Sequence, residues 1–256
     1  LTVYRLPPEP IFPHPAEAEP GGLLAVGGDL SPRRLLNAYA LGIFPWYSEG
    51  QPILWYSPDP RFVLFPERLH VPRSLKKRIR RGDYTVRLDS DFGAVLAGCK
   101  AARRPGQRGT WITRDMVRAY TELHRLGIAH CAAAYDAGGA LVGGLYGIGF
   151  GSFFAGESMF AKADDASKVA FVYLARQLQR WGVGLIDSQV HTDHVERFGG
   201  EELPREAYCA RVATLVRQPS RMPTAIEGQP WAFDPDFDPL DPDFEADPIE
   251  LTDEVP

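Results

Sequence analysis

At 256 residues, with 45% hydrophobic and 24% charged content, the chain is long enough for one large domain or two small ones with real cores. No apolar run approaches the roughly 20 residues a bilayer span needs, and Leu1–Pro10 lacks the basic-then-apolar pattern of a secretory leader, so membrane and export classes are not expected. The formal charge of −5 conceals a split, because eleven acidic residues and no Lys or Arg lie between Met222 and Pro256, leaving a net basic body suited to a polyanionic partner.

Taken in order, Leu1 to Pro20 is proline-rich and reads as an extended arm. Ser31-Pro32 opens a helix, with Ser as cap, Pro in the first turn, Leu35, Leu36 and Tyr39 on one face, and Gly42 as its stop. Two aromatic clusters follow, Ile43–Tyr47 and Ile53–Tyr56, and a small N-terminal domain is placed at 1–61. A second unit spans 62–219. Pro72–Arg81 predicts a short helix carrying Arg73, Lys76, Lys77, Arg78, Arg80 and Arg81, and Tyr84–Leu88 alternates like a strand. Asp91–Lys100 reads as helical, and Thr113 caps a helix to Leu126. Ala129–Tyr135 and Ala140–Phe150 form a hairpin about Asp136–Gly139, with a further strand at Ser152–Ala155. A long helix over Asp165–Trp181 precedes a buried strand at Val183–Ser188. This order predicts an α+β fold rather than a doubly wound sheet. From 220 to 256 the acidic, Asp-Pro-rich composition predicts disorder. A tail of that charge also has the composition to cover the basic helix when a nucleic acid is absent.

The three cysteines make no CxxC pair and read as reduced thiols of a cytoplasmic protein. There is no GxxxxGK[ST], HExxH or GxSxG motif, and His191 and His194 lack a third ligand type nearby, so no metal and no cofactor is expected. Gly143–Gly149 is glycine-rich without the strand–turn–helix setting of a dinucleotide site, and close strand packing accounts for it better. Gln179-Arg180-Trp181-Gly182-Val183-Gly184 fits an acyl-CoA pyrophosphate pattern, yet its glycines close a helix instead of opening one, so their amides point away from any phosphate.

Four constellations remain: Gly42–Tyr47, the basic run Arg103–Thr113, Phe154–Phe160 and Leu185–His191. Each has a plain reading as core, solvated face or capped turn. Together, and in this order with Glu19–Pro32, Leu54–Arg61, Leu141–Gly147 and Ala166–Lys168, they resemble the leucyl/phenylalanyl-tRNA–protein transferase family from Glu19 to about Tyr208. The chain departs from the family pattern at Gly21 (Asn), Ser188 (Cys) and Leu174 (Phe), and the acidic tail lies outside it.

The resemblance implies a larger domain with a GNAT-like mixed sheet, and a reaction in which Leu or Phe (Met also) passes from charged tRNA to the N-terminal Arg or Lys of an acceptor protein. The acceptor would thereby be marked for N-end-rule degradation. The donor ester is already activated, so aminolysis needs neither ATP nor metal. Asp187, Gln189 and Glu157 are the implied catalytic set, with Gln189 orienting the amine, Asp187 reinforcing it and Glu157 holding the donor ammonium. Leu145, Phe154, Met159, Phe171, Leu174 and Ile186 would line the amino-acid pocket, with Tyr120 and Ser158 beside it. Trp46 and Trp111 would stack on the terminal adenosine. The six basic residues of the Arg73–Arg81 segment would meet tRNA phosphates. A monomer with no membrane partner is expected. Rival readings are a CoA-dependent acyltransferase and a tRNA-binding module without catalysis.

Overall fold

The computed structural model describes residues 3–102, 110–223 and 226–245, so most of the basic run after Ala102 lies outside the described residues. Near the start, helix α1 (Pro32–Ala40) is capped by the Ser31 hydroxyl, which accepts the Arg34 amide at 3.4 Å. Strands β1 (Tyr4–Leu6), β2 (Leu23–Gly27), β3 (Phe44–Pro45) and β4 (Leu54–Tyr56) form a sheet in the order β1-β2-β4-β3. The N-terminal arm is thus not wholly irregular: β1 pairs in parallel with β2, and Pro15–Glu17 makes a 3₁₀ turn. Arg34 explains why. Its buried guanidinium donates to the Pro7 and Pro8 carbonyls at 2.9 and 2.8 Å, satisfying acceptors in a segment where proline supplies no N–H.

The remaining strands are β5 (Arg61–Leu64), β6 (Thr85–Leu88), β7 (Ala129–Tyr135), β8 (Leu141–Phe150), β9 (Phe153–Ala161), β10 (Leu185–Asp187) and β11 (Glu201–Leu203). They form one sheet in the order β11-β5-β10-β9-β8-β7-β6. Every neighbouring pair is antiparallel except β9 and β10, which run parallel and are joined across helix α5 (Ala166–Arg180). The expected mixed, α+β architecture is present.

Residue alternation divides the core into two layers. Along β7, Ala129, Cys131 and Ala133 pack with α3 (Phe92–Ala101) and α4 (Arg114–Arg125), while Ala132 and Ala134 pack toward α2 (Arg73–Arg81) and α5. The two short helices α6 (Asp193–Glu196) and α7 (Arg205–Leu215) complete the unit. Close approach, not phosphate binding, accounts for the glycines of β8. A Cβ on Gly143 would lie 2.7 Å from the Ala166 side chain, and one on Gly147 would lie 2.3 Å from the Ala155 carbonyl. The Gln179–Gly184 segment also closes a helix as expected, with the Gly182 amide donating to the Gln179 carbonyl at 2.9 Å and Gly182 at φ +81°.

Two expected strands have other bounds, and β5 and β11 are not among the expected elements. β9 runs on from Ala155 to Ala161, and β10 is only Leu185–Asp187. The tail also departs from disorder over 226–245. Trp231 is buried, stacks on His130 with centroids 3.5 Å apart, and donates its amide to Asp89 at 2.7 Å. Asp234 accepts from Gln177, Asp236 pairs with Arg180, and Phe233 and Phe237 lie against Tyr173. Composition misjudged this segment because its four aromatics supply apolar area that the average charge hides. The contacts of Asp234, Asp236, Phe233 and Phe237 fall on α5 and those of Trp231 on His130 of β7 and on Asp89, and none of them is made with the basic helix α2. Trp231→Ala should cost about 3–5 kcal/mol in urea unfolding and open the segment after 226 to proteolysis. An unchanged midpoint and cleavage pattern would mean that the stack stabilises nothing.

Candidate active site

The parallel strands β9 and β10 pair only where Phe153–Ala155 faces Leu185–Asp187, and beyond that point β9 continues without its partner. A cavity of about 320 Å³ lies beside this opening. Leu145, Phe154, Met159 and Ile186 line it from the sheet, and Phe171, Leu174, Ala175 and Leu178 from α5. Trp46, 42% exposed, and Trp111 stand on its border with Phe44 and Pro45. Its polar wall includes Glu157, Ser158, Asp187, Ser188 and Gln189. Residues spread over more than 140 positions in the chain, expected as one pocket, are therefore brought together. Trp55, in the neighbouring aromatic cluster, is wholly buried and donates its indole N–H to the Gly27 carbonyl at 2.9 Å, so its role is core packing.

A β-bulge aims Glu157. Tyr146 faces Ser158 and Gly147 faces Gly156, so Glu157 is the extra residue on β9. The bulge lets Gly156, Glu157, Ser158 and Met159 all border the cavity, which strict alternation would forbid. Behind Glu157, Tyr39 of α1 donates to Oε1 at 2.6 Å and Tyr120 of α4 donates to Oε2 at 3.0 Å. The two hydroxyls lie 2.5 Å apart. Tyr120 thus stands behind the cavity wall instead of lining it. Burial raises the Glu157 carboxyl to about 7 against the lowering effect of the two tyrosines; the Asp187 charge adds to the rise and Arg61 opposes it.

Asp187 is fully buried, and its acceptor capacity is taken up by the protein. Arg61 Nε donates to Oδ1 at 2.8 Å and Nη2 to Oδ2 at 2.6 Å. The Tyr208 hydroxyl adds a bond to Oδ2 at 2.9 Å, and the Gln189 amide one to Oδ1 at 2.9 Å. Burial acts against the Arg61 charge, but the Asp187 carboxylate prevails and holds the guanidinium protonated. Sequence periodicity places Asp187 and Gln189 on one strand face; the structure ends β10 at Asp187. Capture of the amide two residues on turns the chain away from β9 and sets Gln189 at φ +59°. The Gln189 side chain then borders the cavity with a buried Nε2 that has no protein partner.

His194 was not anticipated. It borders the cavity from α6, and its buried Nε2 has no protein partner. Burial first, and the charges of Lys168 and Arg197 next, lower it to about 4, so it is neutral near pH 7. Arg61, Tyr39 and Tyr208 were missed for a common reason: the sequence shows them as one basic and two aromatic residues in apolar settings. Only the three-dimensional arrangement reveals what their polar ends meet. Among the described residues, two groups have ligand atoms close enough for an ion, Asp89-His124-His130 and His191-Asp193-Glu196. In the first, the His130 nitrogens already meet Asp89 and the Gly127 carbonyl, at 2.7 and 3.0 Å. The second is exposed, and His191 lies edge-on to Phe62.

The six basic residues of α2 lie apart from the cavity lining. Leu75 and Ile79 anchor the helix, Arg78 pairs with Asp83 and Asp165 at 3.2 Å each, and Arg81 pairs with Asp83 at 2.6 Å. Arg73, Lys77 and Arg80 are exposed.

A family model described as leucyl/phenylalanyl-tRNA protein transferase matches residues 63–213, and its N-terminal domain model matches 28–59. The chain belongs to this family. Relatives named leucyl/phenylalanyl-tRNA–protein transferase include one from Anaeromyxobacter dehalogenans, 58% identical over 220 residues, which covers 86% of this chain and 94% of that protein. Another, from Myxococcus xanthus, is 54% identical over 230 residues, with 89% and 98% covered. Among solved structures, L-PGS from Bacillus licheniformis aligns with TM-score 0.38 and 11% identity over 66% of this chain and 54% of that one. A GCN5-related N-acetyltransferase from Kribbella flavida aligns with TM-score 0.35 and 11% identity, over 68% and 61%. At those scores the likeness carries no argument. As a member of this transferase family the chain is an aminoacyltransferase, passing an aminoacyl group from tRNA to a protein acceptor. Among the described residues, no helix is long and apolar enough to cross a membrane.

Arg61→Ala would leave Asp187 a buried, unpaired charge. The expected loss is about 3–5 kcal/mol in chemical unfolding. A loss below about 1 kcal/mol would show that water or another cation replaces the guanidinium without difficulty.

Proposed function

We propose that the enzyme moves Leu or Phe, and also Met, from the 3′ end of charged tRNA to the N-terminal Arg or Lys of acceptor proteins, marking them for N-end-rule degradation. The observation that carries this reading is the buried, unpartnered Gln189 amide at the polar wall of an apolar cavity. An apolar cavity of about 320 Å³ suits a large hydrophobic side chain and rejects charged ones by their desolvation cost. The ester carbonyl of such a donor would then lie beside a free amide donor. Gln189 steadies the oxyanion through Nε2 and orients the attacking amine through Oε1. Asp187 is a positioning residue: it meets no substrate directly, but fixes the Gln189 backbone and is itself fixed by Arg61 and Tyr208.

Trp46 and Trp111 receive the terminal adenosine by stacking, each contributing about 1–3 kcal/mol. Trp46 fits that role because it is exposed while braced edge-on by Tyr56 at 5.6 Å. Ser158 adds a hydroxyl between the apolar pocket and Glu157, where it can meet the donor's polar backbone. On α2, Arg73, Lys76, Lys77, Arg78, Arg80 and Arg81 meet tRNA phosphates, with Arg78 and Arg81 the weaker because Asp83 partly neutralises them. The ester supplies its own activation, so the reaction runs without ATP, metal or other cofactor, by a monomer in the cytoplasm.

Radiolabelled Leu on tRNA should pass to a model protein beginning with Arg and not to one beginning with Ala, and Gln189→Ala should lower the single-turnover rate about 100-fold with tRNA binding unchanged. Equal labelling of both acceptors would remove the acceptor assignment; a Gln189→Ala rate within about threefold of wild type would remove the role of the amide. Replacing Arg73, Lys77 and Arg80 together by Ala should weaken tRNA binding and flatten its salt dependence by about three charges. A salt slope equal to that of the unaltered enzyme would place the tRNA elsewhere.

A further inference from the structure

The Tyr39–Tyr120–Glu157 cluster poses a problem of proton number. Three pairs of oxygens are in contact, at 2.5, 2.6 and 3.0 Å. Each close contact needs one proton between its oxygens, and each hydroxyl carries only one. With Glu157 ionised, two protons serve three contacts, and one oxygen pair is left bare. With Glu157 protonated, the ring closes: its O–H donates to Tyr39, Tyr39 to Tyr120, and Tyr120 back to the other carboxyl oxygen. The three close contacts therefore match the protonated carboxyl, and on ionisation both hydroxyls turn to the carboxylate while the bare pair of oxygens draws apart, so the same side chains serve both states.

We infer that Glu157 is the proton shuttle of the transfer reaction, with Tyr39 and Tyr120 as positioning residues that hold it ready in both states. This rests on the proposed ester aminolysis. The acceptor's amine nitrogen bonds to the ester carbonyl carbon, and the carbonyl electron pair moves onto oxygen, where Gln189 steadies it. The Glu157 carboxylate takes one proton from that nitrogen. As the intermediate collapses, the bond from carbon to ribose oxygen breaks, and the departing oxygen receives the same proton from Glu157. An amide and a free ribose hydroxyl result, and Glu157 ends ionised as it began. A group that gives up and regains a proton near neutrality loses little driving force in either half. The position near 7 agrees with that demand.

The groups facing Glu157 are few. Tyr39 and Tyr120 lie behind it on α1 and α4, and Tyr146 of β8 meets Tyr120 edge-on at 5.6 Å. Asp187 of β10 and Arg61 of β5 act on it with opposite signs. The tyrosine hydroxyls are held far above their ordinary range, by burial first and by the Glu157 charge next, so neither ionises near pH 7.

The test is the pH profile of the single-turnover rate with saturating leucyl-tRNA and an Arg-initiated peptide. In the unaltered enzyme the rate should fall on the acid side as Glu157 protonates, beside a limb near 8 set by the acceptor's own α-amine. Tyr39→Phe removes a bond that lowers the carboxyl, so the Glu157 limb should move to higher pH while the amine limb stays. Tyr120→Phe should act in the same direction, which guards against one variant misfolding. Glu157→Gln should lose the acid limb and about 100-fold or more in rate, with tRNA binding retained. Unmoved limbs in both folded tyrosine variants, or a Glu157→Gln rate within threefold of wild type, would overturn the shuttle. Absence of any transfer by the unaltered enzyme would instead remove the ester-aminolysis reading on which it rests.

Discussion

The buried pair between Arg61 and Asp187 is the interaction on which the arrangement depends. Removing two charges from water costs several kcal/mol per ion, and the attraction between them offsets that only when the remaining donors and acceptors are satisfied. Here they are. The guanidinium meets Asp187 through two nitrogens and gives its third to the Gly42 carbonyl at 3.0 Å, while the Phe44 and Tyr208 rings lie 4.8 and 4.5 Å from its centre. Asp187 has four donors. The pair consequently ties β5 to β10, to the turn after α1 and to α7, four segments that meet beside the cavity.

That junction also shapes the cavity. Because Asp187 is held at the end of β10 and captures the Gln189 amide, the chain parts from β9, which continues paired with β8 alone, while Ser188 and Gln189 still bond the Phe62 backbone of β5. The opening left between the strands would close if β10 carried on beside β9. On β9 the bulge at Glu157 then turns an extra side chain toward the opening. Ladder termination on one strand and insertion on its neighbour are complementary: the first makes room and the second supplies the polar group. Helix α5 covers the opening with Phe171, Leu174 and Leu178 on one side, and its other side is braced by the aromatic tail segment against Tyr173 and Arg176.

Much of this was legible in the sequence because its signals are local. Ser31-Pro32, Thr113 and Gly82 mark helix ends through their own backbone and side-chain chemistry, and β7 and β8 show a turn between apolar runs. Pocket residues such as Leu145, Phe154 and Ile186 were reached through family resemblance, since nothing in an isolated apolar residue says which cavity it faces. What stayed hidden depends on partners far apart in the chain. Arg61 reads as one more basic residue until Asp187, 126 positions later, is placed against it. Tyr39 reads as the apolar face of α1, because periodicity reports the ring and not the hydroxyl. Asp187 and Gln189 were expected on one strand face because a period of two assumes that the strand continues, and the aspartate itself stops it. The tail misled through averaging, as its mean charge hides the aromatics that dock it.

The ion pair also bears on the chemistry through what it does not do. The Asp187 charge raises the Glu157 carboxyl, as one carboxylate does to another near it. Arg61 beside it does the opposite. Each acts on Glu157 in its own direction, and because the pair is bound nitrogen to oxygen at 2.6 Å, their effects largely cancel at that distance. The proton affinity of Glu157 is then set mainly by a contest between burial, which favours the neutral acid, and two tyrosine hydroxyls, which favour the anion. That contest settles near neutrality because both sides are short-range and fixed by packing of α1 and α4 onto β9. A solvent-exposed charge would make the balance depend on salt; a closed pair and two buried phenols do not.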